Sequence, residues 1–588
     1  MFWPPEPNSK QFHLLQLPGI SPSFRSFSCP LLILASAAMF ALILWFLFTT
    51  FLLQHAQAAS AAQWRDRSIY QVLIDRYALP NGSDPTLCKP SEQTWCGGTW
   101  NTLRGNLDYI QDAGFTAVWI SPVQQNWQGE RTPYGDAYHG YWIQDSTQLN
   151  DKFGTPDDLL ALSKEIHQRD MYLMVDVVVN DVMALSTNPD YSIYMFKDAS
   201  YYHTYCPVDY SNTTSEQLCW LGDLNVTLPD LDTTNPTVIS QYGSWISELV
   251  QTYSIDGLRI DAAKHVDADF WPTFCGTEGA SGIFCMGEVF GGLDVEDAAE
   301  WQGPLDSVLN YPMYTALTQA FQIPGSLNIS ALTDTISQSK KLYKDTTVLG
   351  NFLENQDLPR WASSSVDVQT LYNAMAFNFM SDGIPIVYYG QEQYFSGAGD
   401  PLNREPLWPS NYTKTDAYKF IQTLNQFRNY LVNSTANTST PWTTAETQVL
   451  TASQYGIAIL KGDVITVLTN VGSPAQNNTH IAVATPYDRN TALTNIITCE
   501  QWVVGSQGYI DVEYTLGGQA VILHPSTILA ENKSPVCAGL VQTSQGMDDE
   551  SATLSNAAFS IVRSNFLWAL DSVVIVTSLS MVLCWWWS

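Results

Sequence analysis

Between Trp64 and about Tyr430, short apolar runs alternate with longer stretches of helical periodicity. These runs are the strand candidates, and they cover residues 69–78, 115–122, 172–180, 257–261, 283–290, 307–312, 348–357 and 383–392. Strands that alternate with helices are typical of βα units around a parallel sheet, and eight such units predict a closed (β/α)8 TIM barrel. One intervening helix is well marked, because Thr155 can cap it and Pro156 can occupy its first turn.

Two interruptions break this rhythm and predict the domain boundaries. Residues 182–232 are too many for an ordinary βα loop, so we expect an excursion domain after the third strand, between barrel segments 59–181 and 233–430. A Ser/Thr-rich stretch follows the barrel, and residues 441–537 then change to short alternating runs. This pattern predicts a C-terminal antiparallel β-sandwich domain.

The N-terminal end carries an apolar run, residues 31–53, followed by Ala56 and Ala58 in the small-x-small pattern of a signal-peptidase site. We predict a signal peptide over residues 1–58, with Met39 as an alternative start. Because the run is long for a signal peptide, an uncleaved anchor is the alternative interpretation.

The C-terminal end carries a second apolar run, residues 566–587, behind small residues near Asn556 and a short polar spacer. This arrangement is typical of a glycosylphosphatidylinositol (GPI) signal, in which the tail is replaced by lipid. We therefore expect a stalk over residues 538–556, a GPI-attachment propeptide over 557–588, and a membrane-tethered or wall-bound protein at the cell surface. A retained membrane-spanning helix is the alternative.

Cysteines and sequons support passage through an oxidising compartment. Of ten cysteines, eight lie outside the two apolar ends. Among about 105 possible pairings, the local choice joins Cys88 to Cys96, Cys206 to Cys219, Cys275 to Cys285 and Cys499 to Cys537. Sequons occur at Asn81, Asn212, Asn225, Asn328, Asn411, Asn433, Asn437, Asn477 and Asn532.

The net charge of the chain narrows the classes of molecule that it is expected to bind. The formal net charge is −31, with only 26 Lys and Arg residues, so phosphate backbones would be repelled and nucleic acid is a poor partner. A neutral substrate fits better, and 20 Trp and 29 Tyr residues suit carbohydrate stacking as well as core formation. We expect a monomer.

Four strand candidates end in polar residues: Asn180, Asp261, Glu288 and the stretch 354–357. The ends of barrel strands converge on one face, where active sites of this fold are built. Breaking a bond between sugars needs one acid to protonate the leaving oxygen and one carboxylate to attack or stabilise the anomeric carbon. Arg259 beside Asp261 favours an ionised aspartate, and the apolar run before Glu288 favours a protonated acid.

Longer motifs at these strand ends resemble those of the α-amylase family, glycoside hydrolase family 13. The four ordered signature regions are matched by "DVVVN", "GLRIDAAKH", "GEVF" and "FLENQD", with "YGDAYHGYW", "LPDLDTT" and "GIPIVYYGQEQ" in family order around them. The similarity covers nearly all of residues 64–537 and is greatest to secreted fungal α-amylases. It implies that Asp261 is the nucleophile, Glu288 the general acid/base and Asp357 the transition-state stabiliser.

The same resemblance implies the substrate and ion contacts. The substrate would be α-1,4-glucan or a maltooligosaccharide. The residues expected to bind it are Tyr134, His139, Tyr141, Trp142, Arg259, Lys264, His265, Gln356, Asp400 and Arg404. Calcium is the implied cofactor, and its expected ligands are the side chains of Asn180 and Asp230 and the main-chain carbonyls of Gln217 and His265.

Two positions depart from the family pattern, which has histidine where this chain has Asp181 and Gln356. Gln356 can still donate a hydrogen bond to a sugar, whereas an ionised Asp181 can only accept. We therefore expect retaining chemistry in which a covalent glucosyl enzyme is shared between water and a sugar acceptor, giving α-amylase and 4-α-glucanotransferase activity in cell-wall α-glucan metabolism, as in the lipid-anchored fungal branch. The alternative is a non-catalytic, amylase-like glucan-binding wall protein.

Overall fold

The computed structural model describes residues 58–86, 88–473, 479–514 and 517–538. Apart from Ala58 and residue 538, the predicted signal peptide, stalk and lipid-attachment segment lie outside these residues, as does Asn477. Within them, no helix is both long and apolar enough to cross a membrane.

The first ten strands belong to the barrel and one hairpin beside it. They are β1 (Ile69–Val72), β2 (Ala117–Ile120), β3 (Gln124–Asn126), β4 (Ile143–Leu149), β5 (Tyr172–Val177), β6 (Gly257–Ile260), β7 (Phe284–Gly287), β8 (Ser307–Val308), β9 (Gly350–Asn351) and β10 (Ile384–Tyr388). Eight form one parallel sheet in the order β8-β7-β6-β5-β2-β1-β10-β9. A parallel bridge between Leu309 and Gly350 joins its two edges, so the sheet closes into the predicted barrel.

Along each barrel strand, successive side chains alternate between the interior of the barrel and the side that faces the surrounding helices. Ile69 of β1 packs in one buried cluster with Ala117 and Met174 of neighbouring strands. Tyr70 packs with the residues beneath the surrounding helices. Because side chains alternate with a period of two, Gln71 lies on the same side of β1 as Ile69.

Most helices cover the barrel and connect its strands, whereas one lies in the excursion after β5 and the last follows the C-terminal strands. In chain order they are α1 (Ala61–Trp64), α2 (Ile74–Tyr77), α3 (Trp100–Arg104), α4 (Leu107–Asp112), α5 (Pro156–Gln168), α6 (Thr213–Leu218), α7 (Pro236–Tyr253), α8 (Phe270–Cys275), α9 (Val295–Glu300), α10 (Tyr311–Phe321), α11 (Ile329–Leu342), α12 (Trp361–Ser364), α13 (Val368–Met380), α14 (Asp416–Thr435) and α15 (Ser526–Glu531). At the start of α5, Thr155 accepts a hydrogen bond from the Asp158 amide, as the sequence predicts.

All eight predicted barrel strands are present, but the expected bounds are too long. The run 69–78 becomes a four-residue strand followed by α2, and the run 348–357 contains only the two-residue strand β9. The remaining apolar residues are buried in loops and short helices, where hydrophobicity alone does not distinguish them from a strand. The β3–β4 hairpin was not predicted.

The excursion after β5 contains α6 and the Cys206–Cys219 disulfide. The other three predicted pairs, Cys88–Cys96, Cys275–Cys285 and Cys499–Cys537, are also bonded, so the local pairing is confirmed.

The C-terminal part is antiparallel, as expected. Its strands are β11 (Gln448–Ser453), β12 (Gly456–Lys461), β13 (Val464–Thr469), β14 (Thr479–Ala484), β15 (Ala492–Asn495), β16 (Gln501–Val503), β17 (Tyr509–Tyr514) and β18 (Val521–Pro525). They form a six-stranded sheet, ordered β11-β12-β13-β18-β15-β16, and a β14–β17 pair. One apolar cluster, including Val467 and Ile510, joins the two sheets.

Candidate active site

A cleft of about 350 Å³ lies where the ends of the barrel strands converge. Its lining residues are His139, Tyr141, Trp142, Leu221, Asp261, Ala262, Lys264, His265, Glu288, Phe290, Gln356, Asp357, Asp400 and Arg404. The three predicted catalytic carboxylates and most of the predicted sugar contacts therefore meet at one place. Strand ends separated widely in sequence bring them together, which is how barrel sites are generally assembled.

Arg259 organises the carboxylates from the floor of the cleft. Its side chain is fully buried, and its Nη1 donates to Asp261 Oδ1 over 2.6 Å. The same guanidinium contacts Asp176 at 2.9 Å and lies 2.8 Å from Glu288 Oε1. β6 places Arg259 two residues before Asp261, on the same side of the strand. One guanidinium thus holds the nucleophile and acid candidates close to each other.

The surroundings of Glu288 differ from the apolar setting that the sequence suggested. Oε1 accepts a hydrogen bond from the Tyr311 hydroxyl over 3.0 Å, and Oε2 accepts one from the Ala262 amide over 3.1 Å. With Arg259 also beside it, this carboxyl group is held by polar partners. The apolar run before Glu288 forms β7, all four residues of which are buried.

The charge balance around Arg259 favours retention of a proton. The sequence predicts an ionised Asp261, but burial raises the pKa of its carboxyl group; Arg259 lowers this pKa, and Glu288 and Asp176 raise it again. Burial likewise raises the pKa of Asp176 despite its contact with Arg259. One guanidinium cannot neutralise several buried carboxylates, so their mutual repulsion favours a proton held by the Asp176 and Asp261 pair.

Asp357 also lines the cleft, beside Arg404. Arg404 Nη2 is 3.5 Å from Asp357 Oδ1, and its Nη1 is 3.0 Å from Asp400 Oδ1. Desolvation and the charge of Glu288 raise the pKa of Asp357, while Arg404 lowers it. Because the Asp357 side chain is 37% exposed, water moderates the rise.

His139 presents a defined donor to the cleft. Its Nδ1 accepts a hydrogen bond from the Tyr141 amide over 3.0 Å, so the proton of the neutral ring is on Nε2. Burial, with Arg404 and Arg76 nearby, keeps the pKa of His139 well below its usual value. Tyr141 donates to Asp176 over 2.8 Å, and the His139 and Trp142 rings pack edge to face. A neutral imidazole and two aromatic rings suit a sugar.

The excursion domain lines the cleft with Leu221 and contacts two further cleft residues through Glu216 of α6. Lys264 Nζ is 3.0 Å from Glu216 Oε1, and His265 Nδ1 donates to the Glu216 carbonyl over 2.8 Å. Tyr134 is 42% exposed, and its hydroxyl donates to Asp223. Tyr134 is not among the lining residues of the cleft, so the structure does not group it with the other predicted sugar contacts.

Two of the predicted calcium ligands, Asn180 and Asp230, lie close together between β5 and the excursion domain. Asn180 and Asp230 are both 1% exposed, and the Leu231 amide donates to the Asn180 carbonyl over 2.8 Å. Asp230 Oδ2 pairs with His203 Nδ1 at 2.6 Å, whereas Oδ1 is buried with no hydrogen-bond partner among the described residues. An orphaned carboxylate oxygen beside other oxygen donors fits a hard cation.

Clusters of three or more His, Cys, Asp or Glu side chains suited to a metal do not occur in the described parts of the chain. The predicted calcium ligand set contains one carboxylate, one amide and two carbonyls.

The two departures from the family pattern lie in different surroundings. Gln356 lines the cleft, while Asp181 is 4% exposed, accepts from Asn180 Nδ2 over 3.2 Å and does not line the cleft. Burial raises the pKa of Asp181 to about 7. Glu354, close to Gln356 in sequence, points into the protein instead, where it pairs with Arg360 over 3.0 Å.

Sequence reasoning missed Asp176, Tyr311, Asn355 and Phe290 as site residues. Tyr311 donates to Glu288 and accepts from Asn355 Nδ2, both over 3.0 Å. Asp176 could have been found from its place in "DVVVN", because a charged residue inside an apolar strand needs a partner. Tyr311 and Asn355 carry no comparable sequence signal.

Comparisons with known proteins agree with this geometry. Residues 71–455 match the alpha-amylase catalytic domain, and residues 428–545 match alpha-amylase domain C. Alpha-amylase 2 of Schwanniomyces occidentalis is 41% identical over 81% of this chain and 93% of its own length. Alpha-amylase 1 of Lipomyces kononenkoae is 50% identical over 63% of this chain and 60% of its own.

A solved alpha-amylase structure from Malbranchea cinnamomea superimposes with a TM-score of 0.77 at 39% identity. The alignment covers 82% of this chain and 100% of that one. The barrel and the C-terminal domain are thus matched together.

Proposed function

This chain belongs to the α-amylase family of glycoside hydrolases, and from that premise we propose that it cleaves α-1,4-glucan with retention and transfers part of the product to sugar acceptors. The observation that carries the proposal is the shared contact of Arg259 with Asp261 and Glu288, at 2.6 and 2.8 Å. A close pair of carboxylates is the arrangement that retaining enzymes use, since inverting enzymes need room for a water between them.

The reaction has two displacements. Asp261 attacks the anomeric carbon and forms a covalent bond to it, while the proton of Glu288 passes to the departing glycosidic oxygen. Water or a sugar hydroxyl then attacks the same carbon, gives its proton to Glu288 and releases Asp261. Asp357 binds hydroxyls of the sugar as its ring flattens, and His139 Nε2 donates to it.

Substitution of the nucleophile tests this assignment. Asp261→Asn should reduce turnover of maltoheptaose by at least about 10⁴-fold, because an amide does not form the covalent intermediate. Its thermal midpoint should not fall, since removal of one buried carboxylate eases the repulsion around Arg259. Unchanged turnover, or none in the parent protein, would favour the alternative of a non-catalytic glucan-binding protein.

Transfer is supported by an aromatic surface beside the acid/base residue. Phe290 is 48% exposed, lines the cleft two residues after Glu288, and packs on Tyr311 with ring centroids 5.0 Å apart. A sugar stacked on this ring would compete with water for the covalent intermediate, since aromatic faces bind the apolar faces of sugars. The replacement of histidine by Gln356 changes another part of the same cleft.

Product analysis tests the transfer proposal. With maltoheptaose, the parent protein should form oligosaccharides longer than the substrate, and Phe290→Ala should lower the ratio of longer to shorter products by about 2- to 13-fold, the value of one stacking contact. Leu293→Ala is the matched control, because Leu293 is 40% exposed but does not line the cleft. Shorter products alone from the parent protein would leave hydrolysis as the only activity.

We propose two further properties from the sequence. Calcium, when bound by the side chains of Asn180 and Asp230 and the carbonyls of Gln217 and His265, would supply positive charge that holds the excursion domain to the barrel. A GPI lipid would hold the protein at the cell surface, where wall α-glucan is the substrate. Phospholipase release of the protein from intact cells supports this location, and resistance to release together with extraction by detergent opposes it.

A further inference from the structure

Two buried glutamines meet behind the cleft. Gln71 Nε2 donates to Gln356 Oε1 over 2.7 Å, and each side chain is only 2% exposed. Gln71 lies in β1, and Gln356 follows β9, so the hydrogen bond joins residues 285 positions apart in sequence. Of the two, only Gln356 lines the cleft.

This hydrogen bond determines which end of the Gln356 amide faces the sugar. Its oxygen is used by Gln71, so its NH₂ group is left as the free end at the cleft. The backbone is held as well, because the Gln356 carbonyl accepts from Asn403 Nδ2 over 2.9 Å and from Arg404 Nε over 3.1 Å. With backbone and amide both fixed, the donor needs no reorientation when a sugar binds.

A glutamine at position 71 is not the residue expected if stability alone determined the sequence of β1. Its neighbours in β1 are Ile69, Tyr70 and Val72, and it lies on the inward side of the strand, like Ile69. Its Oε1 is buried without a hydrogen-bond partner among the described residues. A buried polar atom left in this way costs stability, so an apolar residue would serve the core better. The hydrogen bond to Gln356 supplies a reason for glutamine.

We propose that Gln71 is a positioning residue that turns the NH₂ group of Gln356 toward a hydroxyl of the sugar at the cleavage point. This inference rests on the proposed glucan chemistry. It assigns to a pair of amides the donor role for which the family pattern has a histidine. Gln356 touches the substrate, and Gln71 acts only through Gln356.

A double-mutant cycle tests the proposal. Gln71→Met keeps the side-chain volume but removes the donor, so the Gln356 amide is free to rotate. We expect kcat for total maltoheptaose consumption to fall about 10- to 100-fold, with KM changed by less than about threefold. In a Gln356→Ala background, where no amide remains to be turned, the same substitution should change kcat by less than about twofold.

Matched variants separate orientation from packing. Gln391→Met is the control, because Gln391 is likewise buried, with 1% exposure, its amide atoms have no partner among the described residues, and it does not line the cleft. It should leave kcat within about twofold of the parent value. Gln71→Glu provides a second route if Gln71→Met fails to fold. The carboxylate introduced accepts hydrogen bonds and would draw the Gln356 NH₂ away from the cleft. The kcat of Gln71→Glu, relative to that of the parent protein at the same pH, should therefore fall increasingly as pH rises.

Each outcome of these experiments supports or overturns the positioning role of Gln71. Equal losses of kcat from Gln71→Met in the parent and Gln356→Ala backgrounds, or no loss in the parent, would overturn the positioning role. Total consumption of maltoheptaose is scored separately from the ratio of longer to shorter products, so the transfer proposal can fail while this one stands. A parent protein with no turnover would refute the glucan chemistry and this inference together.

Discussion

The carboxylate Glu354 lies three residues before the predicted stabiliser Asp357, yet it has a structural role that a single substitution can expose. Arg360 is fully buried and contacts Glu354 at 3.0 Å, Glu405 at 3.2 Å and the Tyr389 carbonyl at 2.7 Å. Glu354 is 1% exposed and also accepts from the Trp361 amide over 2.9 Å. Arg360→Met would therefore leave a buried carboxylate without its cation.

The expected loss depends on pH. At an effective dielectric constant of about 20, two charges about 3 Å apart attract by about 5 kcal/mol, and part of this is returned because methionine needs no desolvation. We expect Arg360→Met to cost about 3–5 kcal/mol of unfolding free energy at pH 8. Burial raises the pKa of Glu354 to about 7 even with Arg360 present.

The raised pKa of Glu354 determines how the loss of stability changes with pH. Stability contributed by protonated Glu354 is fully present below the unfolded-state pKa and is lost as pH rises through the folded-state value. At pH 5 the carboxyl group is protonated in both proteins, so the variant should lose only about 1–2 kcal/mol, from its missing hydrogen bonds. Glu405 is 22% exposed on its side chain and can be solvated at either pH.

Urea unfolding followed by tryptophan fluorescence at pH 5 and pH 8 measures both losses. Lys89→Met is the control, because its pair with Glu92 is exposed, with 67% of the lysine side chain in solvent, and should be worth less than about 1 kcal/mol. An equal loss at both pH values would refute the argument, since it would show that the charge of Glu354 does not determine the cost.

Three further predictions concern the cleft and the ion site. Asp357→Asn should lower kcat for maltoheptaose by at least about 10³-fold. It should not lower the urea midpoint, because it removes a charge repelled by Glu288. A lowered midpoint with normal kcat would show that Asp357 is structural and not catalytic. Chelation of calcium should lower the thermal midpoint of the parent protein. If the calcium concentration was about a hundredfold above its Kd, the loss should be about 3 kcal/mol of unfolding free energy. Asp230→Asn should abolish this response, and a parent protein that does not respond would exclude calcium binding. His139→Gln should retain at least about tenfold more kcat than His139→Asn, because only the longer amide reaches the Nε2 position; the reverse order would contradict the assigned tautomer.

Several features could be predicted from the sequence because their signals are local. The alternation of apolar runs and helical stretches located all eight barrel strands, and Thr155 marked the start of α5. Cysteine spacing was sufficient for the four disulfides, since short loops close at little entropic cost. Strand ends also located Asp261, Glu288 and Asp357, which the structure brings to one cleft. Strand lengths were overestimated, because an apolar residue is equally buried in a strand or beneath a loop.

Only the tertiary structure decided which polar groups touch one another. Arg259 and Asp261 are two residues apart, and their pairing could be expected from the sequence. The contacts of Arg259 with Asp176, of Tyr311 with Glu288 and of Gln71 with Gln356 join different parts of the fold, and no local pattern encodes them. The sequence by itself therefore determined which groups are available for chemistry. The closed barrel determined their partners, charges and orientations, because hydrogen bonds and ion pairs depend on distances that chain spacing does not specify.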